Sequence, residues 1–205
     1  MRSSTRSSAS IARSGSASVY YELIAVGTSW GGLTALSRLL ADLPAEIEQP
    51  IVIAQHRAPD SVEGGLGHLL QRHTERVVRD AEDKDPLEPH RVYLAPPDYH
   101  LLVERGHLAL STEEEVQFAR PSIDVLFESV ADAYREHAVG IILTGANEDG
   151  AAGLRSIKRA GGVAIVQDPL TSERARMPEA ALAVTEADAV LPLEEIGRFL
   201  VGLCV

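Results

Sequence analysis

Gly27-Thr28-Ser29-Trp30-Gly31 sets one serine between two glycines at the Gly-x-Ser-x-Gly spacing. That spacing belongs to a sharp strand-to-helix corner, which lifts a hydroxyl above the edge of a sheet as a nucleophile. Glycine lets the backbone pass closely there, and the helix start behind the serine points unpaired N–H groups at any negative charge that forms. A serine nucleophile needs a base, and the base needs an acid to orient it. Of seven histidines, His56 is the one that ends an apolar run, Ile51-Val52-Ile53-Ala54-Gln55-His56. The acid should also end a strand. Ile141-Ile142-Leu143-Thr144-Gly145-Ala146-Asn147-Glu148-Asp149-Gly150 offers both Glu148 and Asp149. Asp149 also suits a plain helix cap before Ala151, a role aspartate favours, and position alone leaves the two acids open.

These residues need elements to hold them. Short apolar runs alternate with amphipathic stretches from Tyr20 onward, the pattern of βαβ units. Strands are expected at Leu23–Val26, Ile51–Gln55, Val77–Asp80, Val139–Leu143, Val163–Gln167 and Ala189–Leu191. Helices are expected at Leu33–Leu43, Val62–Arg72, Ile123–His137, Ala151–Ala160, Pro178–Thr185 and Glu194–Leu203. The helix after Ser122 is the clearest, with Ile123, Leu126, Phe127, Val130, Ala131 and Tyr134 on one stripe behind a Pro-Ser start signal. Between Arg91 and Ser111 the pattern breaks. Arg91–Ala95, His100–Glu104 and His107–Leu110 read as strands of an antiparallel hairpin. The fold class is therefore α/β: a doubly wound, mostly parallel sheet with helices on both faces and an antiparallel hairpin insertion. Such sheets bind ligands at the carboxyl ends of their strands, where Ser29 would stand.

Composition narrows the function. At 205 residues, 45% hydrophobic and 24% charged, the chain suits one ordinary globular domain. A formal net charge of −11 speaks against nucleic acid and anionic membranes as partners. Its single cysteine, Cys204, excludes an internal disulfide, and no apolar run is long enough to insert in a bilayer, so a cytoplasmic protein is expected. Met1–Ser18 is rich in Ser, Ala and Arg, with no acid before Glu22. It lacks the apolar core of a secretory signal; an organelle transit peptide shares its composition, but its scarcity of groups to bury predicts a disordered tail. Residues 19–205 are then the catalytic domain.

Two other readings of the corner fit less well. A dinucleotide turn would want Gly-x-Gly-x-x-Gly and an acid closing the second strand, which here ends in Gln55-His56. An ordinary α/β-hydrolase runs serine, acid, histidine, yet no histidine follows His137. The order Ser29, His56, Asp149 would be a separate route to the same geometry.

From about Leu23 to Leu200 the chain resembles the catalytic domain of the bacterial chemotaxis protein-glutamate methylesterase. The resemblance is carried by Ile24-Ala-Val-Gly-Thr-Ser-Trp-Gly-Gly32, Gln55-His56, Ala95-Pro-Pro-Asp-Tyr-His100, Arg120-Pro-Ser-Ile-Asp-Val-Leu-Phe127, Leu143-Thr-Gly145 with Asp149-Gly150, and Met177-Pro178. It implies a Ser29–His56–Asp149 triad, hydrolysis of γ-methyl esters of receptor glutamates, and deamidation of receptor glutamines. Both reactions run through an acyl-enzyme, without metal or cofactor. By position, the backbone N–H groups of Trp30 and Ala146 are expected to hold the oxyanion.

Where the best-known members of that family have threonine and asparagine, this chain has Trp30 and Glu148. A second carboxylate before the triad aspartate could raise the pKa of the base. Fuller members also carry a phospho-accepting receiver domain ahead of the esterase. Here regulation is expected from a separate partner rather than from phosphorylation in cis. The expected substrate is a methylated chemoreceptor-like protein; the alternative is a signalling module that keeps the fold and acts only by binding.

Overall fold

A computed structural model of the chain describes residues 20–58, 60–62 and 64–205. Met1–Ser18, expected as a tail, lies outside the described residues. Seven parallel strands build the main sheet: β1 (Leu23–Thr28), β2 (Ile51–Gln55), β3 (Val77–Asp80), β4 (Arg91–Leu94), β7 (Ala138–Ile142), β8 (Val163–Gln167) and β9 (Ala189–Leu191). Their order is β3-β4-β2-β1-β7-β8-β9. The central strands are buried along their length except at Gln55, which ends β2 half-buried, as parallel strands covered on both faces must be.

Side chains alternate between two cores. Leu23, Ala25, Val52 and Ala54 pack under α3 (Ile123–Tyr134), α4 (Ala151–Arg159) and α5 (Arg176–Val184), whose Phe127, Leu154 and Met177 cover that face. Ile24, Val26, Ile51 and Ile53 pack on the other face against α1 (Gly32–Ala41), α2 (Gly65–Gln71) and α6 (Leu193–Cys204), through Leu36, Leu39, Leu70, Ile196 and Leu200. Helices thus lie on both faces, as expected.

One assignment changes. Arg91–Leu94 does not join the hairpin; it pairs in parallel with both β2 and β3. Val92, Tyr93 and Leu94 are buried on the two faces of the sheet. A run this short carries no signature that separates a parallel partner from an antiparallel one, and Pro96-Pro97 only marks where it stops. The antiparallel hairpin is β5 (His100–Glu104) with β6 (His107–Ser111), whose Leu101, Val103 and Leu108 cap the α3 side of the core. The second helix is also shorter than expected, beginning at Gly65 rather than Val62, and α5 begins two residues before Pro178, which the first helical turn tolerates.

From β1 the chain passes to β2, then to the edge strand β3, and returns to β4 between them; later it winds outward the other way through β7, β8 and β9. The order therefore reverses beside β1. Sheets of this kind bind ligands at such a point, here outside the carboxyl ends of β1, β2 and β7.

Candidate active site

The serine corner follows from two tight positions. A side chain at Gly27 would collide with Ile123, so β1 can lie against the start of α3 only with glycine there. Gly31 takes a left-handed φ of 80° and turns the chain into α1. The corner is tied across to the edge of β7. Ser29 N–H donates to the Thr144 carbonyl at 3.0 Å, the Thr28 hydroxyl donates to the same carbonyl at 2.8 Å, and the Thr144 hydroxyl donates to the Trp30 carbonyl at 3.0 Å.

His56 follows β2 directly, and its N–H donates to the Thr28 carbonyl at 3.2 Å, so the β1–β2 register carries the imidazole to the serine. Its Nδ1 lies 3.2 Å from Ser29 Oγ and its Nε2 lies 2.7 Å from Asp149 Oδ2. A carboxylate only accepts, so Nε2 carries the hydrogen and Nδ1 turns its lone pair to the serine hydroxyl. The structure thus brings together the three side chains singled out from the sequence.

Asp149 is wholly buried. It caps α3 rather than the helix that follows it in sequence: the Ile123 and Asp124 N–H groups donate to its carboxylate at 2.7 and 2.9 Å, and the Ser122 hydroxyl donates at 2.9 Å. Burial alone would raise its pKa. The His56 hydrogen bond and the helix-terminus N–H groups outweigh that and hold the carboxyl below its ordinary value, so it is ionised at neutral pH. Glu148, the other acid left open by position, is exposed and pairs with Arg176 at 3.3 Å. Its charge faces solvent, not the imidazole.

Trp30 projects its indole outward, 58% exposed. The ring is held by a 2.9 Å hydrogen bond from Nε1 to Glu173 and by the Arg174 guanidinium 5.3 Å from its centroid. Among the described residues, the backbone N–H groups of Trp30 and Ala146 have no backbone acceptor.

Three contributions escaped sequence reasoning. Ser122 was legible as the start of a helix, but its hydrogen bond to Asp149 depends on how α3 docks. Asn147, whose Nδ2 lies 3.2 Å from His56 Nδ1, left no signal. Neither did the Glu173–Arg174 brace of Trp30. His100, by contrast, is buried structure: its Nδ1 accepts the Ser122 N–H and its Nε2 donates to the Glu114 carbonyl, fixing the hairpin to the start of α3.

With this geometry in place, comparison with known proteins is direct. Residues 24–200 match the family model described as CheB methylesterase. A relative from Leptospira interrogans is 45% identical over 184 residues, which are 89% of this chain and 95% of that one. Another, from Anaeromyxobacter dehalogenans, bears the name protein-glutamate methylesterase/protein-glutamine glutaminase 2. It is 41% identical over 179 residues, and the match spans 87% of this chain but 52% of the relative. The crystal structure of the Thermotoga maritima CheB methylesterase catalytic domain superposes with a TM-score of 0.85 at 31% identity, over 90% of this chain and all of that one. The chain belongs to the CheB methylesterase family.

Proposed function

We propose that this chain hydrolyses methyl esters of glutamyl side chains on chemoreceptor-like proteins, and deamidates glutaminyl side chains, through an acyl-enzyme on Ser29. The observation that carries the reading is the unbroken relay from Ser29 Oγ to His56 to a buried, ionised Asp149. In it, His56 Nδ1 takes the serine proton as Oγ attacks the ester carbonyl. The same nitrogen returns that proton to methoxide, or to the amine of a glutaminyl substrate, as the tetrahedral intermediate collapses. Asp149 holds the tautomer and steadies the imidazolium without being protonated. The Trp30 and Ala146 N–H groups take the oxyanion. Water then follows the same path to release glutamate.

The part-exposed serine and outward Trp30 suit a side chain presented by a macromolecule. No helix among the described residues is long and apolar enough to cross a membrane. We place the reaction in the cytoplasm. A module that only binds has no use for a carboxylate, imidazole and hydroxyl in contact, and no observation favours it. The test is mass spectrometry of methylated and glutamine-bearing receptor peptides before and after incubation. Loss of one methylene per ester, absent with Ser29→Ala, is expected; unchanged peptides, or an equally active Ser29→Ala variant, would refute the reading.

A further inference from the structure

Two donors compete for one lone pair at the centre of this site. Ser29 Oγ and Asn147 Nδ2 each lie 3.2 Å from His56 Nδ1. Because Nε2 spends its hydrogen on Asp149, Nδ1 is an acceptor only, so the amide atom that faces it must be the NH₂ group. Asn147 Oδ1, at the other end of the amide, is buried and has no hydrogen-bond partner among the described residues. The side chain is therefore poorly satisfied at rest. Its backbone is not free to relieve this. Gly145 is pinned in both directions, accepting from Met177 N–H at 3.0 Å and donating to Arg174 at 3.1 Å, and Asp149 is locked under α3.

Counting donors and acceptors along the reaction shows what the amide is for. A neutral imidazole nitrogen accepts one well-aligned hydrogen bond. As Ser29 Oγ bonds to the ester carbon, the carbonyl π pair moves onto oxygen and the serine proton moves to Nδ1. At that step Nδ1 becomes a donor and expels the Asn147 NH₂, and a new anionic acceptor appears on the carbon now bonded to Ser29 Oγ. When methoxide leaves with the proton, both changes reverse.

We infer that the Asn147 side-chain amide is a catalytic donor to the oxyanion, held on His56 between turnovers and released to the substrate oxygen by the proton transfer itself. The inference rests on Ser29 as nucleophile and His56 as base. It adds a side-chain donor to the backbone pair, on the same loop as Ala146. Such a bond strengthens only as charge develops, so it acts on kcat rather than on ground-state binding.

The experiment measures methanol release from a methylated receptor peptide by the full chain and by Asn147→Ala, Asn147→Asp and Ser29→Ala. Asn147→Ala is expected to lose roughly 100- to 1,000-fold in kcat, the usual cost of one oxyanion donor, with KM within about threefold. Asn147→Asp has the same shape but offers a carboxylate where a donor is required, and should do no better than alanine. Asn147→Ala losing less than about tenfold in kcat, or Asn147→Asp retaining wild-type rates, would overturn the role. A thermal melt of each variant separates lost chemistry from lost folding, and the near-isosteric aspartate decides the question should alanine unfold the loop. An active Ser29→Ala would remove the nucleophile and this role with it. An inactive Ser29→Ala beside a fully active Asn147→Ala would remove Asn147 alone.

Discussion

Asp149 and Glu148 are neighbours in sequence with opposite fates. Asp149 is buried among four donors, from His56, Ser122, Ile123 and Asp124, while Glu148 reaches Arg176 at the surface. The donors at a helix N-terminus keep the first ionised despite its burial, an anchor for the imidazole; exposure leaves the second an ordinary surface charge. Asp149→Asn puts an NH₂ where donors converge. It is expected to lower kcat by about 10⁴-fold through the wrong histidine tautomer. It should also lower thermal stability, because a buried donor left unpaired costs roughly 1–3 kcal/mol. Glu148→Gln should shift stability by less than about 1 kcal/mol, as loss of an exposed ion pair does. Steady-state rates and melts of both variants check the contrast; equal effects would contradict it. Ser29 and His56 were legible because each follows an apolar run, while position left Asp149 and Glu148 open and the family resemblance pointed to Asp149. Asn147 and Ser122 were not, since their roles arise only when loops distant along the chain are packed together.

At the scale of elements, the start of α3 does most of the positioning. It supplies two N–H groups to Asp149, and its own Asp124 lies buried beside them, accepting from Gly153 N–H at 2.7 Å and Gln117 at 2.8 Å. Burial, reinforced by the charge of Asp149, pushes the Asp124 carboxyl up from 3.8 to about 6. A raised acid works against folding once it ionises. Between those two values the folded chain keeps a proton that the unfolded chain has released, so this group's contribution to stability falls as pH rises through that window. The difference is worth about 3 kcal/mol. Asp149, whose value is depressed, acts the other way, and only below the ordinary carboxylate range. Asp124→Asn should therefore lose ground to wild type at about pH 4 and gain on it at about pH 7, by melts across the range. Parallel curves would contradict this. The stripe of α3 was plain in the sequence; its docking onto the aspartate was not. The β4 strand was misplaced for a similar reason, because a four-residue run does not encode which neighbour it pairs with.

On the scale of the whole molecule, the formal charge of −11 is the feature that bears on substrate. Three arginines around the site add little free positive charge, with Arg57 paired to Asp80, Arg176 paired to Glu148 and Arg174 laid over the Trp30 ring beside Glu173. An acidic receptor segment would then approach against long-range repulsion, which salt screens. The rate constant kcat/KM on such a segment should rise as ionic strength increases from about 20 to about 200 mM. A fall would point instead to a positive docking patch. The sheet order was open to sequence reading only in part: alternation of strand and helix marked the class, while the reversal beside β1, where such folds bind ligands, emerged only from the strand pairing.

Catalysis at this site depends most on a serine activated by its neighbours. Reaction of the folded protein with a fluorophosphonate, followed by peptide mass spectrometry, measures that activation at a named atom. Label on Ser29, lost in His56→Ala and retained at no other serine, is the predicted result. Label elsewhere, or on Ser29 to the same extent without the imidazole, would contradict it.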